Sequence, residues 1–361
     1  MRRFPPPLVV VALASLAACS NEYPNPFDDP SLISTVPPPD GTTIVFSTDG
    51  WSSVQGSGRE LMAVATDGSL LTRLTFCHSD SRPCDIPEGA LAADNERSVV
   101  RRVVADTNGD GRLDERDDAS LVYVDLAARV EAELLPSTAR VTGIDWVPSA
   151  DVLVYSAQGA GGEDLFRTTP RRPTSDNAQE TVDLSCPNFG GGTANCDTGI
   201  SERRPRIDAA GSVAAYARIA AGGASEVWVF QTTVNQTRVT TAPAGGELLP
   251  GTPYRAGSDT DPSYSPDGRS LVFRHLVAVT SDGRGVWELR TVRPNGTELF
   301  TPVSRGSWLG APDWGADGIA FPEADASGTR LMLIQPDGTG ARPIVSFPAG
   351  TRLDNPRWLR R

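Results

Sequence analysis

The stretch Asp261-Pro262-Ser263-Tyr264-Ser265-Pro266-Asp267-Gly268-Arg269-Ser270-Leu271-Val272-Phe273 decides the fold. A proline and an aromatic residue end one short segment, Asp267-Gly268 turns the chain, and an apolar run follows. Asp-Gly between apolar runs predicts a hairpin, because such a turn needs the positive φ that glycine adopts freely. Val286-Trp287-Glu288-Leu289-Arg290-Thr291-Val292 then alternates as a second strand, and Pro294-Asn295-Gly296-Thr297 makes another turn.

Looser copies of this unit fill the chain on both sides. Pro312-Asp313-Trp314 leads through Asp317-Gly318 to Ile319-Ala320-Phe321, and Pro205-Arg206-Ile207 leads through Gly211 to Val213-Ala214-Ala215-Tyr216. Ile144-Asp145-Trp146 precedes Val152-Leu153-Val154-Tyr155, Pro87-Glu88-Gly89 precedes Val99-Val100, and Pro39-Asp40-Gly41 precedes Ile44-Val45-Phe46. The turns at 41, 95, 151, 211, 268 and 318 are spaced by 54, 56, 60, 57 and 50 residues. A near-constant period of short strands divided by glycine turns predicts an all-β architecture with radial repetition, a β-propeller. The first copy lacks the Pro-x-aromatic segment. The last residues, Asn355-Pro356-Arg357-Trp358-Leu359, are that segment with nothing after it. We therefore expect six blades over residues 38–361, the first completed by the C-terminal strand.

The repeat resembles the TolB-type β-propeller family, whose blades carry Pro-x-Trp-Ser-Pro-Asp-Gly. Residues 261–273 match it nearly in full, with Tyr264 for the Trp. Residues 312–321, 144–155, and 355–359 taken with 39–46 match in part, while 87–100 and 205–216 keep least of it. The resemblance does not reach the α/β domain that precedes the propeller in TolB itself, which weakens any transfer of TolB's own envelope partnership. It implies a propeller that works by binding.

The N-terminus carries an address. Arg2 and Arg3 precede an apolar run from Leu8 to Ala18, too short for a membrane-spanning helix. Leu16-Ala17-Ala18-Cys19 resembles the lipobox of bacterial lipoproteins. Residues 1–18 are expected to be a signal peptide, Cys19 the lipidated terminus, and 19–37 a Pro-rich tether. Ser20 after the Cys points, by lipoprotein sorting rules, to the outer membrane, with the body facing the periplasm. Export into an oxidising compartment suits the remaining four Cys. Four Cys allow three pairings, and the local one is favoured because both intervening loops are short: Cys77 with Cys84, and Cys186 with Cys196.

Composition removes several chemistries. The net charge is −12, which argues against nucleic acid as a partner. All 33 basic residues are Arg, so Schiff-base and P-loop Lys chemistry is excluded. His78 and His275 are too few for a His-based zinc site. There is no Gly-x-Ser-x-Gly elbow.

One insertion interrupts the second repeat: Asp106-Thr107-Asn108-Gly109-Asp110-Gly111-Arg112-Leu113-Asp114-Glu115-Arg116-Asp117-Asp118. Its spacing resembles EF-hand and dockerin-like calcium loops. Asp106, Asn108 and Asp110 would supply side-chain oxygens, Arg112 a backbone carbonyl, Asp114 a direct or water-mediated contact and Asp117 the last carboxylate. A structural Ca²⁺ is thus expected, held weakly because Asp replaces the usual twelfth-position Glu. The alternative is a solvated acidic hairpin. His275 has no evident acidic partner, and Trp146, Trp228, Trp287, Trp314 and Trp358 read as equivalent packing residues.

The function expected is a non-catalytic lipoprotein scaffold, monomeric, that binds envelope proteins or peptides and touches the membrane only through its lipid. Two alternatives stand beside it. One is a metal-dependent enzyme using the central funnel, lactonase-like or glycan-cleaving. The other is a surface-exposed structural or adhesive lipoprotein.

Overall fold

The computed structural model describes residues 43–51, 58–77, 83–91, 97–126, 130–147, 152–159, 162–170, 181–184, 199–220, 222–231, 236–243, 245–304 and 308–359. Among these there is no α-helix, and a single 3-10 turn spans Ser137–Ala139. The signal and tether segments, Cys19, Cys186 and Cys196 lie outside the described residues.

The hairpin read at Asp267-Gly268 forms as expected. Asp259–Tyr264 pairs antiparallel with Leu271–Val279, which pairs with Gly285–Val292, which pairs with Phe300–Ser304. Gly268 adopts φ 69°, and its amide donates to the Ser265 carbonyl at 2.8 Å. The same up-and-down order recurs. Asp85–Leu91, Arg97–Val103, Ser120–Asp125 and Val130–Leu135 make one sheet. Gly318–Asp325, Gly328–Ile334 and Arg342–Phe347 make another, with Trp308–Leu309 and Asp313–Gly315 both edging its first strand. An eight-stranded sheet contains two such groups, from Gly143–Val147 and from Ile200–Ile207. They are joined where Gly162 and Glu163 pair in parallel with Ile200 and Ser201. In the remaining sheet the C-terminal strand Leu353–Trp358 lies against Thr43–Thr48, followed by Glu60–Ala65 and Thr72–Arg73.

The first strands of these groups touch one another in a sequence that returns to its start. Leu353–Trp358 contacts Asp85–Leu91, which contacts Gly143–Val147, then Ile200–Ile207, Asp259–Tyr264, Asp313–Gly315, and again Leu353–Trp358. The sheets therefore stack face to face around a common axis.

Period-2 alternation explains the packing, since successive side chains of a strand leave by opposite faces. Ile44 and Phe46 pack with Ala320, Leu331 and Leu333 of the preceding sheet. Val45 between them packs with Ile86, Val100 and Val122 of the following one. Another such layer joins Val272, Leu276 and Leu289 to Ile319, Phe321 and Met332. Each sheet is apolar on both faces, so the core is a ring of inter-sheet layers. Contact at the innermost strands is close: a Cβ added at Gly315 would lie 2.0 Å from Cδ2 of Trp358.

Candidate functional site: a charged axial cavity

The middle residue of the Pro-x-aromatic segment, or of its looser counterpart, falls on the innermost strand in each repeat: Glu88, Asp145, Arg206, Ser263, Asp313 and Arg357. All six are buried. They stitch neighbouring sheets together. The Ser263 hydroxyl donates to Asp313 Oδ1 at 2.6 Å, and the backbone amide of Trp358 donates to Asp313 Oδ2 at 2.7 Å. The Ile207 amide donates likewise to Asp145 Oδ2 at 2.7 Å. Arg357 Nη2 donates to Glu88, and Arg101 Nε donates to the Val141 carbonyl at 2.8 Å. A buried polar belt is stable only when its members satisfy one another.

One tier nearer the opening stand Arg204, Asp261 and Asn355, each immediately before a proline. Each has a left-handed φ, of 56°, 52° and 49° respectively, and each sits at a slip in strand register. A bulge re-aims a side chain out of the ladder, and here it turns three polar groups toward the axis. Together with Ala311 they line a cavity of about 1280 Å³. Its upper wall carries Arg203, Arg274, Tyr254, Trp287 and Trp308, and one side is formed by residues 114–118 of the insertion.

Ion pairs fix this lining. Arg59, 1% exposed, is held between Asp85 (2.6 Å), Asp354 (2.6 Å) and Glu115 (2.9 Å). Burial opposes the charge on Arg59, but these three carboxylates outweigh it and raise its pKa well above the ordinary guanidinium value. Burial likewise opposes the charge on Glu115, yet Arg59 prevails and brings the carboxyl down to about 2. Asp354, the third member, is pushed up by burial despite Arg59. Arg274 Nε donates to Asp261 Oδ2 at 2.8 Å, and its guanidinium carbon lies 4.4 Å from the Trp287 ring centre. Tyr254 meets the same indole edge-on at 6.2 Å. A planar cation over an indole face gives a rigid wall with its polar rim toward water.

The insertion folds back on its own carboxylates. Asp106 accepts the amides of Gly109 (2.6 Å) and Gly111 (2.7 Å), while Asp117 Oδ1 accepts those of Thr107 (2.8 Å) and Asn108 (3.1 Å). The Arg352 guanidinium donates to the Leu113 carbonyl at 2.9 Å, so the loop is docked at the cavity rim by Glu115 and by its own backbone. Asn108 and Asp110 cap amides two residues on, those of Asp110 and Arg112. The six expected calcium positions are thus in one loop, but Arg116 pairs with both Asp110 and Asp114. Among the described residues, no three His, Cys, Asp or Glu side chains are grouped to hold a metal ion.

Other expectations fare variously. Cys77 and Cys84 are disulfide-bonded, with Cα atoms 5.9 Å apart. His275 does have an acidic partner: its Nδ1 lies 2.7 Å from Asp259 Oδ1, supplied by the register between the two strands. The five Trp residues are not equivalent. Trp146, Trp314 and Trp358 lie on innermost strands, whereas Trp228 and Trp287 sit on later strands beneath Arg218 and Arg274. The axial charges were missed in the sequence. Their signal was present, because this position is charged in five of the six repeats, where a strand core would be apolar. Arg59 carried no such signal.

No family model matches the sequence, and neither does any curated protein. Solved structures do. TolB from Acinetobacter baumannii superposes with a TM-score of 0.58 at 12% identity, over 88% of this chain and 66% of that one. The fold is a TolB-like β-propeller. A chain of a nidogen/laminin complex superposes with a TM-score of 0.55 at 8% identity, over 87% of this chain and 97% of that one. The propeller chain spans just under two thirds of the Acinetobacter TolB's length, and identities this low speak to fold alone.

Proposed function

We propose that this propeller is a non-catalytic binding scaffold, six-bladed and closed through Leu353–Trp358. In this reading it is anchored by a lipid on Cys19 in the cell envelope and takes an extended protein or peptide segment at its axial cavity. One observation carries the reading. The cavity is lined from several sheets by side chains already fixed in ion pairs, with Trp287, Tyr254 and the 37%-exposed Trp308 on its wall. Preformed concave sites with aromatic anchors and few oriented polar groups suit recognition. The axial carboxylates Glu88 and Asp261 each face Arg residues, which favours binding over acid–base work.

The test is site-specific photocrosslinking in cells that express the full chain. A photoreactive residue at Trp308 should give a discrete adduct with an envelope protein, and Arg274→Glu should abolish it. The same probe at Asn295, exposed in a turn away from the cavity, should give none. Equal labelling from both positions, or none from Trp308, would refute the reading.

Calcium in the 106–118 loop belongs to the same proposal as a stiffener of the rim. It requires Arg116 to leave Asp110 and Asp114, since a cation and a guanidinium cannot share those oxygens.

A further inference from the structure

Charge is distributed unevenly around the axial cavity. Arg203, Arg204, Arg274 and Arg284 line it from the groups begun by Ile200–Ile207 and Asp259–Tyr264. The carboxylates gather on another arc: Asp325, then Asp354 on the C-terminal strand, then Asp114, Glu115, Asp117 and Asp118 of the insertion. Arg59, Arg116 and Arg140 are the arginines lining that arc among the described residues. Partners behind the lining keep its sign. Asp49, Asp85, Asp354 and Glu115 share Arg59 and Arg352, two carboxylates in excess. Glu323 and Asp325 share Arg330, and Asp110 and Asp114 share Arg116, each one in excess. Beneath the floor, Arg101, Arg204, Arg206, Arg274 and Arg357 face Glu88, Asp145, Asp261 and Asp313, which returns a single positive charge. The arc stays negative.

Two carboxylates on this arc keep an oxygen unused. Asp354 meets Arg59 through Oδ2 and Glu115 through Oε2, and the two side chains are 23% and 46% exposed. Both are further claimants on a guanidinium that Asp85 already holds by its Nε and Nη2. Burial pushes the Asp354 carboxyl up despite Arg59, so its charge would be better held with another cation beside it. Trp308 adjoins the same arc, since it pairs in register with Ala324, next to Asp325. An indole beside carboxylates suits a cation on an aliphatic stem.

We propose that the segment taken into the cavity is basic, with a Lys or Arg side chain entering on the side of Trp308, Asp354 and Glu115. It supplies the cation that these carboxylates share too thinly in Arg59. This inference rests on reading the cavity as a binding site for an extended segment, and it assigns that segment its charge. The net charge of −12 would draw such a partner in before contact.

The experiment is titration calorimetry of the full chain with tetralysine, tetraarginine and tetraglutamate at low ionic strength, with EDTA present. Tetralysine or tetraarginine should bind, the tighter of them showing whether an ammonium or a guanidinium is preferred, and tetraglutamate should not. Asp354→Asn should weaken the basic peptide roughly five- to tenfold. Asp325→Asn, at the exposed end of the arc, is the second variant if the first does not fold. Asp267→Asn removes the same charge from an exposed turn away from the cavity and should leave the affinity unchanged. No binding of either basic peptide at about 1 mM, tetraglutamate binding as tightly, or an equal loss in Asp267→Asn and Asp354→Asn would each overturn the proposal. If the adduct from Trp308 still forms in that event, the cavity remains a binding site and only the basic character of its partner falls.

Discussion

Glu115, on the returning limb of the inserted loop, shares the buried guanidinium of Arg59 with Asp85 and Asp354. The loop is thereby part of the cavity wall. Glu115→Gln should release it, seen as faster amide exchange and easier proteolysis within 106–118 while the sheets stay protected. The pH dependence has a definite sign. The folded carboxyl is lowered to about 2 from an unfolded value near 4.3, so its contribution is full above that unfolded value and is lost as pH falls toward 2. Wild type and Glu115→Gln should therefore differ at pH 7 and converge in acid unfolding near pH 2.

Glu88 is the only carboxylate within ion-pair reach of Arg101, Arg206 and Arg357 among the described residues. Glu88→Gln keeps the shape and strands those cations. Removing one partner of a buried ion pair costs about 3–5 kcal/mol. Chemical denaturation should show a loss of that size, and a change below ~1 kcal/mol would mean the cluster is solvated.

The seam between Asp313–Gly315 and the C-terminal strand depends on a glycine. A methyl at Gly315 would meet the Trp358 indole, so Gly315→Ala should destabilise by about 1–3 kcal/mol through overpacking. Trp358→Ala should cost ~3–5 kcal/mol through the cavity it leaves. Because the two residues touch, their effects should not add, and a double-mutant cycle measures the coupling.

Arg116 competes with any cation for Asp110 and Asp114. Arg116→Ala should tighten Ca²⁺ binding measured by titration calorimetry, and Asp110→Ala should weaken it. No heat at millimolar Ca²⁺ in either wild type or Arg116→Ala would dispose of calcium at this loop.

The repeat was legible because turn chemistry is local. Asp267-Gly268 and its copies announce hairpins on their own, and alternating apolar residues announce which strands are sandwiched. The strand Asn355-Pro356-Arg357-Trp358 could be recognised as a displaced piece for the same reason. What sequence could not convey was convergence. Arg59 gains its meaning from Asp354, nearly the whole chain away, and Glu88 from Arg357. The bulges at Arg204, Asp261 and Asn355 depend on backbone geometry that the following proline only hints at. His275 looked solitary because its partner lies across a strand pair rather than nearby in sequence. The inserted loop stands out in the sequence by its oxygen spacing, whereas its attachment beside the axis rests on Glu115, which lies outside the ligand positions.

The pairing of Leu353–Trp358 with Thr43–Thr48 also sets a timetable. A ribosome that has just finished Phe347 has made every other strand of that first sheet, yet Thr43–Thr48 still presents one bare edge. Unpaired edges recruit whatever strand is at hand, and contacts this distant in sequence form slowly. The edge of Thr43–Thr48 is covered only once Leu353–Trp358 has been made.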